Sequence, residues 1–213
     1  MNITKYDHSC FLIEKDGRAL LFDPVEYEHQ LPTFNNLDAI IITHLHGDHF
    51  QPKILQKIMA DNPNVQIFTT ADNAANVNQA NIGPATIAKD GDEIKSGVFN
   101  LAFFGKDHAA IVDNQAPCQN IATLVDGIFF HPGDSFEIPS SGSTPEILVV
   151  PIAAPWLKIE ESMHFIRNIK PKIVVPAHDA VNSAFGNTLC DNWILKVCDE
   201  IGAQYKPVHY GKI

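Results

Sequence analysis

Basic side chains are scarce in this chain. Lys and Arg number 15 against 25 Asp and Glu, a formal charge of −10. That balance works against attraction to phosphate backbones or anionic lipid surfaces, so neither nucleic acid nor membrane is an expected partner. Cysteine is sparse as well. Cys10, Cys118, Cys190 and Cys198 form no CxxC pair, and a chain of 213 residues buries a core without covalent staples. Reduced thiols in a cytoplasm are the expectation. Long apolar runs are also missing: the longest nearly apolar stretch, 147–157, is broken by Pro151 and Pro155 and falls short of the roughly 20 residues of a membrane helix. The opening residues Met1 to His8 contain no apolar stretch behind a basic segment, so no export signal is expected.

What remains is an ordinary globular composition, 45% hydrophobic and 19% charged, expected to fold as one domain over 1–213. Apolar and alternating segments predict strands over 10–13, 19–22 and 39–43, with Asp16-Gly17 as a hairpin turn between the first two. A helix begins at Pro52, carries Ile54, Leu55, Ile58 and Met59 at helical spacing, and stops at Asn62-Pro63. Further along, the pattern predicts a strand over 65–69, a helix over 71–80 and an apolar strand over 98–104. A hairpin over 121–131 turns at Asp126-Gly127, and a buried strand follows over 146–151. The remainder reads as a helix over 160–169, a strand over 172–175, a helix over 189–201 and a closing strand over 204–208. Ser140-Ser141-Gly142-Ser143 reads as a surface loop. Strands clustered in each half with helices after them suggest two sheets packed face to face, with helices covering the outsides.

The most informative segment is Thr43-His44-Leu45-His46-Gly47-Asp48-His49, at the end of an apolar strand and just ahead of the Pro52 helix. Imidazole and carboxylate are ligands that zinc, iron and manganese accept, and a strand end leading into a loop points alternate side chains into one pocket. His44 and His46, two apart, can face the same way. Asp48 and His49 cannot both join them in regular geometry, so the loop would turn them toward a neighbouring position, which lets one segment serve two metals. A His-rich surface loop is the plainer alternative; so dense a cluster straight after a buried strand argues against it.

This segment resembles the HxHxDH signature of the metallo-β-lactamase superfamily, matched by His44, His46, Asp48 and His49. The opening His8-Ser9-Cys10-Phe11-Leu12-Ile13 and Leu21-Phe22-Asp23-Pro24 resemble the start of a branch of ascorbate-6-phosphate lactonase-like and N-acylphosphatidylethanolamine phospholipase D-like hydrolases. The resemblance implies an α/β fold, a four-layer αββα sandwich with metals at one edge. It also implies later ligands, for which His108, Asp134 in Pro132-Gly133-Asp134-Ser135, and His178 in Val174-Val175-Pro176-Ala177-His178 are the matching positions. His131 competes with His108, but it crowds Asp134.

By the same resemblance, His44, His46 and His108 hold one metal, Asp48, His49 and His178 the other, and Asp134 bridges. The implied cofactor is two divalent transition-metal ions, zinc first, with manganese, iron or nickel as alternatives. The implied activity is metal-dependent hydrolysis of a small-molecule ester, lactone or phosphoester by a metal-bridging hydroxide, with Asp48 and Asp134 as the catalytic carboxylates. A second expectation is a catalytically silent sensor or partner-binding module that keeps the metal site. Three residues hold smaller parts: Asp23 supports a ligand imidazole or is a turn carboxylate before proline. His8 and His131 line the pocket and protonate a leaving group, or are histidines satisfied by backbone. Trp156, Lys158 and Phe185 line a substrate wall or belong to ordinary packing. Oligomeric state is not legible here. The short interval between Asp134 and His178 leaves no room for the capping domain of nuclease branches.

Overall fold

The computed structural model describes residues 1–139 and 144–213, so the loop expected at 140–143 lies outside the described residues. A three-stranded antiparallel meander opens the chain: β1 (Asn2–Lys5), β2 (Phe11–Lys15) and β3 (Arg18–Phe22). Asp16 and Gly17 take positive φ in the β2–β3 turn, the conformation a two-residue hairpin loop requires. The chain then switches to parallel pairing through β4 (Leu37–Ile41), α1 (Pro52–Asp61), β5 (Gln66–Thr69), α2 (Ala71–Gln79) and β6 (Ala85–Ile87). Parallel neighbours need a crossover, and the amphipathic α1 and α2 supply it.

The second half repeats the scheme. β7 (Glu93–Ser96), β8 (Phe99–Phe104), β9 (Ala122–Val125) and β10 (Phe129–His131) are antiparallel. β11 (Ile147–Pro151), α3 (Ile159–Ile169), β12 (Ile173–Ala177), α4 (Ala184–Ile201) and β13 (Gln204–Tyr205) then extend the sheet in parallel. β14 (Gly211–Lys212) returns to pair with β1. The result is two mixed sheets of seven strands, ordered β14-β1-β2-β3-β4-β5-β6 and β13-β12-β11-β10-β9-β8-β7.

Three apolar layers hold these elements. Between the sheets, Phe11, Phe22, Phe68, Phe99, Phe103 and Phe129 are all buried. Each such ring contributes on the order of 1.5–3 kcal/mol relative to exposure. One outer face of the sandwich packs against Leu55, Ile58 and Val77 of α1 and α2. The other packs against Phe165, Ile166, Ile194 and Val197 of α3 and α4. This α/β/β/α layering is the sandwich that the patterning implied, and the metallo-β-lactamase fold.

Four short strands, β1, β6, β7 and β14, go beyond the elements expected from the pattern. They lie toward the sheet edges, where two to four residues carry too little periodicity to register. The final helix begins five residues earlier than its apolar spacing predicts. Ser183 caps it, its hydroxyl accepting from Gly186 N at 3.1 Å, and Gly202 closes it in the left-handed conformation. Phe185 therefore sits in the first turn of α4, 72% exposed, rather than in a loop. No helix of the described residues is long and apolar enough to cross a membrane.

Candidate metal centre

Every element that reaches the site does so at a strand's carboxyl end, where the chain leaves hydrogen-bonded register and polar side chains can converge. His44, His46, Asp48 and His49 follow β4; His108 follows β8; Asp134 follows β10; His178 follows β12; Asp23 follows β3; His8 follows β1. The 46–50 turn closes through His49 N and Phe50 N, both donating to His46 O at 3.0 and 2.8 Å. It carries Asp48 and His49 away from His44 and His46, as the spacing requires.

The expected ligand residues gather into overlapping groups. His44, His46 and His108 each bring one ligand atom within 4.8 Å of the others, and so do His8, Asp48, His49 and His178, and His44, His49 and Asp134. Asp134 lies between the first two. Its Oδ1 is 3.2 Å from His49 Nε2, and its Oδ2 is 3.3 Å from His108 Nε2 and 2.9 Å from His178 Nε2. Asp48 Oδ2 lies 3.4 Å from His178 Nε2 and 3.5 Å from His8 Nε2. His44, His49, His108, Asp134 and His178 are buried, while His46 and Asp48 are half-buried and face the opening.

The pattern of satisfied and bare nitrogens is specific. In four of the histidines Nδ1 has a partner: Thr43 Oγ1 for His44 at 3.1 Å, Asp23 Oδ2 for His49 at 2.7 Å, Ala109 O for His108 at 2.6 Å and Ala153 O for His178 at 2.6 Å. In the same four, Nε2 is buried with no hydrogen-bond partner, as is Asp134 Oδ1. An unpaired buried polar atom costs on the order of 1–3 kcal/mol. Five facing one another define a site built for something that accepts all their lone pairs, and a cation does so.

Electrostatics agree. Burial favours the neutral carboxyl of Asp134, yet the surrounding His49, His178 and His108 hold it well below the ordinary carboxylate range. Burial likewise works to raise Asp48, and contacts with His178 and His8 outweigh it. Burial depresses His178, but Asp134 and Asp48 lift it to about 9. His44 is pushed down by burial and by His49, which together outweigh the nearby Asp134 carboxylate. Burial works against a charge on His49 too, and the carboxylates of Asp134 and Asp23 outweigh it and raise the ring well above the ordinary imidazole value.

Supporting residues fix the geometry. Asp23, fully buried at φ 40°, accepts from Thr43 N and Thr43 Oγ1 at 2.8 Å each as well as from His49 Nδ1. It supports an imidazole rather than merely turning the chain. Asn120 clamps the 132–134 loop, donating from Nδ2 to Pro132 O and accepting Asp134 N at Oδ1. Gly133 must stay glycine: at φ 62° a Cβ there would stand 2.2 Å from Asn120 Oδ1. Trp156 Nε1 donates to Asp134 Oδ2 at 3.2 Å, which brings this residue, one of the wall candidates, onto a site carboxylate. Lys158, by contrast, is exposed at the start of α3, its backbone N–H capped by Glu161.

His131 is the position that the structure keeps apart. Its ring stacks on Phe22 at 4.9 Å inside the inter-sheet core, Nε2 donates to Ser9 O at 3.2 Å, and Nδ1 accepts Gly133 N at 3.0 Å. Both nitrogens are spent on backbone, so it has no proton to give a leaving group; burial pushes it down to about 4. His108, not His131, joins His44 and His46. His8 does reach the cluster, its ring 4.0 Å from that of His178.

Three residues at the site carried no signal in the sequence. Tyr27, in the β3–β4 loop, sets its ring 5.1 Å from that of His8 at a 50° tilt; burial and the Asp48 and Asp134 carboxylates push its phenol up to about 12. Asp7 holds that loop through Tyr27 N, Glu28 N and His29 N at 3.2, 3.0 and 2.8 Å. Cys118 Sγ lies 3.6 Å from His46 Nε2. A cavity of about 340 Å³ adjoins the cluster, lined by His8, His29, Asp179, Asn187, His209 and Tyr210 among others.

A seven-plus-seven-stranded sandwich with a His/Asp cluster able to bind metal at the strand ends defines the metallo-β-lactamase class of architecture. The chain belongs to the β-lactamase superfamily domain family, whose model matches residues 2–178. Protein Rv0786c of Mycobacterium tuberculosis is 33% identical over 186 residues, covering 85% of each chain. A UPF0173 metal-dependent hydrolase of Methanopyrus kandleri is 24% identical over 193 residues, covering 84% of each. In fold, the chain is similar to the metallo hydrolase Igni18 of Ignicoccus hospitalis, with a TM-score of 0.75 at 19% identity, over 100% of this chain and 97% of that one.

Proposed function

We propose that this protein is a metal-dependent hydrolase holding two divalent transition-metal ions, zinc first, with manganese, iron or nickel as alternatives, and acting on a small molecule. One observation carries the reading: four histidines anchored at Nδ1 and bare at Nε2, converging on Asp134. His44, His46 and His108 would hold one ion, Asp48, His49 and His178 the other, and Asp134, with one oxygen facing His49 and the other facing His108 and His178, both. The UPF0173 relatives named metal-dependent hydrolases support the same reading. When bound, such a pair supplies Lewis acidity toward a carbonyl or phosphoryl oxygen and makes a water acidic near neutral pH.

The chain's own groups do the rest. Trp156 orients Asp134 through its indole N–H, and Asp23 fixes the ring of His49. Tyr27 keeps its phenolic proton at neutral pH and stands at the mouth as a hydrogen-bond donor. The half-buried Asp48, on the open side, can accept a hydrogen bond from an incoming water and orient it.

Ester, lactone and phosphoester bonds all suit this chemistry, and the His8–Ile13 and Leu21–Pro24 segments resemble lactonase- and phosphodiesterase-type branches. The adjoining cavity bears on the choice: no Lys or Arg among the described residues lines it, and its histidines His29 and His209 are already paired with Asp7, Asp179 and Asp191, so it offers a phosphate no free cation, which favours an uncharged ester or lactone over a phosphoester. The four free cysteines support a reducing, cytoplasmic setting. The test is metal analysis of reconstituted protein together with hydrolysis of generic lactone, carboxylic ester and phosphodiester substrates. About two ions per chain, with lactone or ester cleavage that a chelator abolishes, is expected. Two ions without turnover on any substrate would instead favour a silent metal-binding module, and one ion, unaffected by His178→Ala, would overturn the two-ion centre.

A further inference from the structure

We infer that His8 is an additional ligand of the ion held by Asp48, His49 and His178, and that it makes the two positions of the centre unequal in coordination number. The inference rests on the two-ion reading and goes beyond it, because the HxHxDH signature and its later partners do not include His8.

The backbone is committed to placing this ring. His8 has φ 59°, a left-handed conformation that non-glycine residues adopt only at a cost, and such outliers gather at functional sites. Two hydrogen bonds hold it there: Cys10 N donates to Asp7 O at 3.0 Å across the turn, and His178 N donates to His8 O at 3.3 Å. His178 itself has φ 61°. Two strained residues from opposite sheets are thus tied to each other, and their rings lie 4.0 Å apart.

The ring's surroundings exclude a packing role. His8 is 1% exposed, and neither of its nitrogens has a hydrogen-bond partner. His131, which does fill core space, spends both nitrogens on backbone groups. Ligand atoms bonded at about 2.0–2.2 Å to one ion stand roughly 3.0–3.5 Å from each other. The His178–Asp48 separation is 3.4 Å and the His8–Asp48 separation is 3.5 Å, so His8 is placed as a ligand is placed.

A consequence for metal choice follows. Three imidazoles and a carboxylate make a four-donor set at the first position, which zinc accepts. His8 raises the second set to three imidazoles and two carboxylates, which suits an ion of higher coordination number such as manganese, iron, nickel or cobalt. The second position is therefore the one at which manganese, iron or nickel competes best with zinc.

Cobalt titration tests this without relying on turnover. His8→Gly removes the ring at a position where glycine takes positive φ freely, so folding is expected to survive; His8→Asn, also tolerant of that conformation, is the second variant. Both should bind the first cobalt as the wild type does and the second about 10–100-fold more weakly, at least the loss that removing a supporting group produces. The visible absorption of the second cobalt should intensify as its coordination number falls. Added imidazole should restore the wild-type spectrum in His8→Gly. If both variants bind the second cobalt with wild-type affinity and spectrum, His8 is not a ligand, although the two-ion centre stands. If the wild type takes up no second cobalt, the two-ion reading falls and this inference with it.

Discussion

Two clusters of histidine and aspartate, one buried and one partly exposed, lie side by side in this molecule and are built to opposite rules. In the metal centre, Nε2 of His44, His49, His108 and His178 has no partner. Next to it, Asp179 immediately follows His178 and belongs to a network that is closed on itself. His209 Nδ1 donates to Asp179, His209 Nε2 donates to Asp191 Oδ2 at 3.0 Å, and Tyr205 donates to Asp191 Oδ1 at 2.5 Å. Lys5 Nζ, wholly buried, lies 2.7 Å from Asp179 Oδ1 at an angle poor for a hydrogen bond, so charge rather than direction holds that pair. The residue types are nearly the same. What differs is how many polar atoms are hydrogen-bonded inside the protein: in the second cluster all but the Lys5 Nζ–Asp179 Oδ1 ion pair are, whereas in the first, four imidazole nitrogens and Asp134 Oδ1 face one another bare, and that separates a ligand site from structural glue.

The largest effect should come from removing the carboxylate on which the open cluster converges. Asp134→Asn barely changes size but removes one negative charge and puts an amide nitrogen where an oxygen faces His49 or His108 and His178. Hydrolysis should fall well beyond the roughly 10–100-fold that losing a supporting partner costs, and metal content should drop in elemental analysis. Wild-type metal content with unchanged rate would make Asp134 a turn residue after Gly133.

Next comes the closed cluster. Lys5→Met removes the buried ammonium from Asp179 and leaves only His209 on that carboxylate, and should lower unfolding free energy by about 3 kcal/mol, the low end for breaking a buried pair, in denaturant titration, with metal stoichiometry unchanged. A fall in metal binding with stability intact would show that the two clusters are not separate in role.

A smaller loss is expected at the support of the open cluster. Asp23→Asn places an NH₂ group among donors that now share a carboxylate, Thr43 N, Thr43 Oγ1 and His49 Nδ1. Metal affinity, measured by competition with a chelator, should weaken about 10–100-fold. No change would return Asp23 to the role of a turn carboxylate.

The smallest effect is in pH dependence. Asp179 and then Asp191 raise His209 from 6.5 to about 9. Its raised value stabilises the folded chain fully below about 6.5 and loses that contribution as pH rises through about 9. Denaturant midpoints of metal-free protein should therefore decline between pH 6 and pH 10, and His209→Gln should flatten the decline (windows set by the same pair of values). A decline of equal size in both proteins would assign it to other groups.

Much of this was legible in the chain's own residues. The β4 run ahead of His44 and the Pro52 start of α1 frame the metal segment at the sequence level, because long apolar runs and proline act locally. Edge strands such as β6 and β14 were not, since two or three residues are paired only by what lies beside them. Lys5 is the sharpest case. No local rule puts a lysine at an inward strand position; only Asp179, brought from the far half of the chain, makes it tolerable there.

By itself the sequence determined the layered α/β architecture and the candidate ligands, because hydrophobic period and the spacing of His44, His46, Asp48 and His49 are one-dimensional facts. Tertiary structure alone decided which nitrogens stay bare. It set His108 against His44 and locked His131 between Ser9 and Gly133, and it folded His8 back onto His178. Whether a buried histidine is a ligand or a brace depends on what reaches its second nitrogen: Asp23 and Ala153 O come to His49 and His178 from the adjacent strand's end and Ala109 O to His108 from the next residue, leaving Nε2 bare, while Ser9 O comes to His131 from the opposite sheet and takes its second nitrogen.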